Sequence, residues 1–277
     1  MAGCAGSTPQ PFVASGVTES KIVGNTGAVR GDASYNIFIL ENNPPRIVEY
    51  SRDCEKLIAD FPTGTVDPEG IAIDKKGKIY VANGNDDEIT TYVNQKRSTP
   101  TIRSGISFPV AVTVGNNGEI FVANSETNTI TTYDSKGLQQ RLTIHKALED
   151  PQGLSVDDSG KLYVTNELAN QLNTYAATGR ETHPTIIHLD GPFGVVATKS
   201  YIYVANSEGG TIGVYTSKGK LYHTDYGFTE PTGIALTPAG EVIAVSTEKN
   251  RLYGPGKCND VTGLGIPVGV ALEPINN

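Results

Sequence analysis

Three short elements recur in one frame along this chain, about 41 residues apart, and that recurrence restricts the fold more than any other feature. The first is Pro-x-Gly-apolar or a near variant, opening at Pro68, Pro109, Pro151, Pro192, Pro231 and Pro267, with Ala111 in place of the second glycine. The second is a β-branched and aromatic run ending in Asn: Ile79–Asn83, Ile120–Asn124, Leu162–Asn166 and Ile202–Asn206, with weaker copies at Ile37–Glu41 and Val242–Ser246. The third ends in a tyrosine: Tyr50, Tyr92, Tyr133, Tyr175, Tyr215 and Tyr253. Apolar and polar residues alternate within these elements, and no 3.6-residue period persists, so the units read as strands. Turns such as Asp74-Lys75-Lys76-Gly77 and Asp157-Asp158-Ser159-Gly160 separate the first two elements. Four residues after each strand-ending position comes Asp87, Asn128, Asn170, Gly210 or Asn250. Those residue types tolerate a left-handed backbone, so this column reads as a turn requirement.

A fourth, looser strand is expected to close each unit, as in Arg141–Ile144 or Thr185–Leu189. Four strands per 40 or so residues is the period of a propeller blade. The last copy has a first strand only, and the first copy has second and third strands only. They are complementary halves of one blade. The expected fold is therefore all-β, a six-bladed β-propeller with four-stranded blades, its ring closed by joining the N- and C-terminal strands. The propeller spans residues 32–277, and residues 1–31 form a lipobox-like tether and an unassigned segment.

The units, for example Pro151-Gln152-Gly153-Leu154, Lys161-Leu162-Tyr163-Val164, Asn170 and Tyr175, resemble NHL repeats, and residues 35–272 resemble an NHL-type propeller as a whole. That family includes sensors, scaffolds, lactonases and lyases, so the resemblance implies a fold and leaves function open.

Composition removes some functions. The formal net charge is −8, without the basic footprint that nucleic-acid binding requires. No apolar run approaches the ~18 residues of a membrane span. Nine of the 13 tyrosines, including Tyr80, Tyr163 and Tyr203, sit in the repeat frame and read as packing between blades. Asn83, Asn124, Asn166 and Asn206 read as strand-ending residues that bond the following turn.

Against this frame, two groups of residues are candidate sites. The x positions of Pro-x-Gly are Glu69, Val110, Gln152, Phe193, Thr232 and Val268. Glu69, Gln152, Phe193 and Thr232 are expected around the channel mouth, either as a pocket with a few placed polar groups or as a plug. Asp86, Glu126, Glu167, Glu208 and Glu248 fall in equivalent loops on the same face. They form either a negative rim attracting cations and basic partners or ordinary solvated carboxylates.

Resemblance to calcium-dependent lactonase propellers would imply Glu, Asn and Asp ligands at or beside the x positions. Here only Glu69 and Gln152 could serve, and hard cations want six to eight oxygens. The four histidines, His145, His183, His188 and His223, fall in or near fourth strands at the outer rim. His183 and His188, five apart in one expected strand, would face opposite sides. This scatter weighs against a catalytic zinc and against a His-based lyase of the streptogramin-opening kind. No Gly-x-Ser-x-Gly elbow is present. The sequence therefore names no catalytic residue, no metal site and no cofactor.

Ala2-Gly3-Cys4 resembles the end of a bacterial lipobox, followed by a Ser/Thr/Pro/Gln-rich stretch. This implies an exported, periplasmic or cell-surface lipoprotein, lipidated at Cys4 and touching the membrane only through that anchor. Cys54 and Cys258 follow the third-strand tyrosines of the first and last blades. They are either a disulfide stapling the ring closure or two free thiols, depending on whether the loops approach closely enough. The resulting expectation is a monomeric, non-enzymatic module binding a small molecule or a protein at the channel mouth. The alternative is a lactonase- or lyase-type propeller with an unrecognised metal site.

Overall fold

Every Pro-x-Gly element becomes the innermost strand of a blade in the computed structural model, which describes residues 35–274. The expected tether over residues 1–31, Cys4 included, lies outside the described residues. The chain opens with β1 (Tyr35–Asn42), β2 (Pro45–Ser51) and β3 (Leu57–Pro62). Four complete units follow. The second blade is β4 (Pro68–Ile73), β5 (Ile79–Asn83), β6 (Glu88–Val93) and β7 (Lys96–Ile102). The third is β8 (Pro109–Val114), β9 (Ile120–Asn124), β10 (Thr129–Tyr133) and β11 (Gln139–Ile144). The fourth is β12 (Pro151–Val156), β13 (Leu162–Asn166), β14 (Gln171–Tyr175) and β15 (Glu181–Ile187). The fifth is β16 (Pro192–Ala197), β17 (Tyr201–Asn206), β18 (Thr211–Thr216) and β19 (Leu221–Tyr226). The sixth has β20 (Pro231–Leu236), β21 (Val242–Ser246) and the short β22 (Arg251–Tyr253). The final strand, β23 (Pro267–Pro274), pairs antiparallel with β1, so the first blade has the order β23-β1-β2-β3. The fold is all-β with six blades, and the ring closes by joining the two ends of the chain.

The sixth blade departs from the four-stranded expectation. In place of an outer strand, a 3-10 helix over Gly256–Asp260 follows Tyr253, and Val261 and Thr262 return to pair with Leu252 and Arg251. That helix carries Cys258 onto the first blade, where it is bonded to Cys54 with the Cα atoms 5.0 Å apart. The two loops are not equivalent, because one is a hairpin and the other a helix replacing a strand.

Apolar clusters lie between blades rather than within them, as the β-branched second strands require. Ile37, Ile39 and Val48 of the first blade pack with Ile243, Val245 and Leu252 of the sixth. Tyr92 packs with Phe38, Ile47 and Phe61 of the blade before it. The frame tyrosines do more than fill space: the hydroxyls of Tyr92, Tyr133 and Tyr175 donate to the carbonyls of Thr63, Ser104 and Lys146 at 2.6–2.7 Å. Each ties down the loop entering its own blade.

The strand-ending asparagines are buried, and they reach past the turn rather than into it. Asn83 Nδ2 donates to the Glu88 carbonyl and the Thr90 hydroxyl, and Asn124 Nδ2 donates to the Thr131 hydroxyl. The oxygens of Asn124, Asn166 and Asn206 accept the Ser107, Glu149 and Asp190 amides of the entry loops. His183 lies in β15, but His188 stands one residue beyond its end with φ +61°. The strand alternation invoked for that pair therefore stops short of His188.

Candidate functional site

The channel mouth is built by a defect repeated six times. In each blade the proline of Pro-x-Gly pairs with the strand-ending residue of the next strand, as Pro68 does with Asn83 and Pro151 with Asn166. The register then slips by one before pairing resumes, at Gly70 opposite Ala82 and Gly153 opposite Thr165. The same slip follows Pro109, Pro192, Pro231 and Pro267. The x residue is thus the extra residue of a β-bulge, and a bulge re-aims its side chain. Glu69, Val110, Gln152, Phe193, Thr232 and Val268 all line one central cavity of about 360 Å³.

Beside five of the six x residues a glycine permits the close approach of neighbouring blades, and Ala111 stands at the sixth. A Cβ on Gly70 would stand 2.5 Å from the Val110 carbonyl oxygen, and one on Gly153 would stand 2.1 Å from that of Phe193. The same conflict meets Gly194 at the Thr232 carbonyl. At these three positions the inner strands come so close only because a side chain is absent.

Below the mouth the next inward-facing ring is aliphatic throughout: Ile71, Val112, Leu154, Val195, Ile234 and Val270. Above it the lining adds Ser207, Thr247 and Glu230. The Thr247 hydroxyl donates to the Pro267 carbonyl at 3.0 Å and lies 3.2 Å from the Thr232 hydroxyl. Glu69 is the most perturbed group of the site. Burial, and then the neighbouring Asp67, push its pKa up to about 8. Asp67 in turn accepts from the Asn42 and Asn85 amides at 2.8 and 2.7 Å.

The five rim carboxylates do not act alike. Asp86 Oδ2 accepts the Val66 amide at 2.8 Å, and Glu126 accepts the Ser107 hydroxyl at 2.6 Å. Glu248 is paired with Lys249 at 2.6 Å. Glu167 is half-buried, and its pKa is raised by that burial and by Asp150 and Glu208. Glu208 is exposed and packs its stem over Gly191. The rim is acidic, but much of it is tied into loop structure.

Sequence reasoning missed a second column. The residue immediately before each inner strand, Asp67, Phe108, Asp150, Gly191, Glu230 or Ile266, has positive φ between +40° and +57°. Four of their amides are held by the left-handed column of the preceding blade. Phe108 N donates to Asp87, Asp150 N to Asn128, Gly191 N to Asn170, and Ile266 N to Asn250, at 2.6–3.2 Å. The Asp/Asn column is therefore both a turn requirement and a clamp between blades. The recurrence of Asp or Glu at three of the six positions before the proline was the available signal.

Among the described residues no group of three or more His, Cys, Asp or Glu side chains is arranged to hold a metal ion. No protein-family model matches the chain, and no curated protein matches it. Solved structures share its fold. A protein of unknown function from Bacteroides caccae is similar with a TM-score of 0.70 and 11% identity, covering 87% of this chain and 99% of that one. A chain of a nidogen/laminin complex is similar with a TM-score of 0.70 and 15% identity, over 86% and 98%. Virginiamycin B lyase from Staphylococcus aureus is similar with a TM-score of 0.62 and 17% identity, over 88% and 85%. At these identities the likeness is one of fold.

Proposed function

We propose that this propeller is a binding module whose channel-mouth cavity takes a small, largely apolar ligand with a polar head. One observation carries the reading: a cavity of about 360 Å³ with an aliphatic lower ring and few polar groups at its mouth. Ligand pockets have that composition, mostly apolar with a few groups fixing orientation. The apolar body rests on Ile71, Leu154 and Ile234, and the head meets Glu69, Gln152 and Thr232. Titration with 1-hexanol, followed by calorimetry and thermal melting, tests the pocket. The expected result is saturable stabilisation that is lost when Thr232→Trp fills the mouth. Binding unaffected by that plug would overturn the site.

The surroundings follow from other features. The repeats are read as NHL-type, and the protein as a monomer without a resident cofactor. The Cys54–Cys258 bond supports an oxidising compartment. With the Ala2-Gly3-Cys4 tripeptide it supports an exported lipoprotein held by a lipid at Cys4. Metabolic labelling with palmitate, abolished by Cys4→Ala, is the expected outcome. A protein partner at the acidic face is the second occupant this reading allows, and a propeller of similar fold occurs in a nidogen/laminin complex.

A catalytic alternative, the lactonase or lyase reading, is favoured by one observation. Glu69 holds a proton near neutral pH inside the cavity, as a general acid must. Turnover of a lactone panel, with and without calcium, and abolished by Glu69→Gln, would put the enzyme ahead.

A further inference from the structure

This inference rests on the pocket reading above and gives its ligand a charge. The cavity lining contains two carboxyl side chains, Glu69 and Glu230, and no Lys, Arg or His. The lysine facing Glu230 from the adjoining loop, Lys249, is already paired with Glu248 at 2.6 Å. Asp67 stands beside Glu69, where its charge raises the Glu69 pKa further, and is held by the amides of Asn42 and Asn85. Burial and the neighbouring Asp67 both favour the protonated form of Glu69, which spares the site a charge that burial would penalise. Phe193 contributes the one aromatic ring of the lining, and such a face attracts cations.

We propose that the cavity takes a small organic cation, an alkylammonium whose charge is met by the mouth carboxyls, Glu69 foremost, and whose alkyl body lies on the aliphatic ring below. The ammonium replaces the Glu69 proton as the counter-charge: Glu69 loses that proton to the buffer, and the ligand N–H groups donate to the freed carboxylate. A desolvated carboxylate meeting a cation is worth far more than the same pair in water. An anion of equal size is repelled, and a neutral alcohol gains only the apolar contact.

The test compares hexylamine, 1-hexanol and hexanoate by calorimetry on the full chain. Hexylamine is expected to bind at least tenfold more tightly than 1-hexanol at pH 8.5, and hexanoate not at all. Hexylamine binding should tighten at least tenfold from pH 6 to pH 8.5, as the Glu69 proton with its pKa of about 8 becomes easier to displace. Heats measured in two buffers of different ionisation enthalpy should show the released proton. Glu69→Gln, isosteric with the protonated form, should cost hexylamine at least tenfold and abolish the pH dependence of its binding. If 1-hexanol binds and hexylamine binds no better, the cation preference is overturned while the pocket stands. A preference for hexylamine that survives Glu69→Gln overturns it as well. If none of the three binds, the pocket itself falls.

Discussion

At position 170 an asparagine meets two demands: its backbone turns left-handed at φ +50°, and its side-chain oxygen accepts the Gly191 amide of the next blade at 2.9 Å. Two substitutions separate them. Asn170→Gly keeps the backbone and loses the clamp, so it should cost about 1 kcal/mol in urea denaturation. Asn170→Ala loses both and should cost about 1–2 kcal/mol more. Equal costs would mean that the left-handed backbone adds nothing, and an unchanged midpoint for Asn170→Gly would mean that the side-chain oxygen contributes nothing. Glu69 makes a different prediction, about pH. Its folded pKa of about 8 lies above the ordinary 4.5. Between those values the unfolded chain has released the proton while the folded protein retains it, so stability falls as pH rises through that window. Glu69→Gln should match the native chain near pH 4 and exceed its melting temperature at pH 8. A native profile that is flat from pH 5 to 8 would show that Glu69 is well solvated.

For the strands, the bulge at each Pro-x-Gly explains what the sequence could and could not convey. The repeat frame, the complementary end strands and the left-handed column at Asp87, Asn128, Asn170 and Asn250 were all legible. They are set by local backbone preference, which residue type records directly. The place of Glu69 and Gln152 at the mouth was legible too, but the register slip that aims them there was not, because it is a property of pairing between two strands. The clamp by Asn170 was hidden for a similar reason, since its partner belongs to another blade. The missing outer strand of the sixth blade was masked by the regular spacing of the tyrosines, which end at Tyr253 just before the pattern fails. The glycine of Pro-x-Gly gives the prediction at this scale. Gly153→Ala would push a methyl onto the Phe193 carbonyl, at a cost of about 1–3 kcal/mol. Ala111 already carries a methyl at the equivalent place, so Ala111→Gly should cost no more than about 1 kcal/mol. Thermal melting of the two variants checks the contrast.

For the molecule as a whole, closure depends on one seam. Hydrogen bonds between β23 and β1 complete the first blade, the apolar cluster around Ile37, Ile243 and Leu252 fills the gap to the sixth, and the Cys54–Cys258 bond spans it across 204 residues of sequence. A cross-link closing so long a loop restricts the unfolded chain strongly. Replacing both cysteines by alanine should therefore cost about 2–5 kcal/mol, and the melting point should drop by about 2–4 °C for each kcal/mol. An unchanged midpoint would show that strand pairing alone secures the ring. The seam also decides where the described chain begins and ends. Tyr35 and Pro274 pair at the end of the first blade remote from the Glu41–Pro267 pair beside the cavity. The first and last described residues thus lie together on the side away from the cavity and leave the surface around its opening clear.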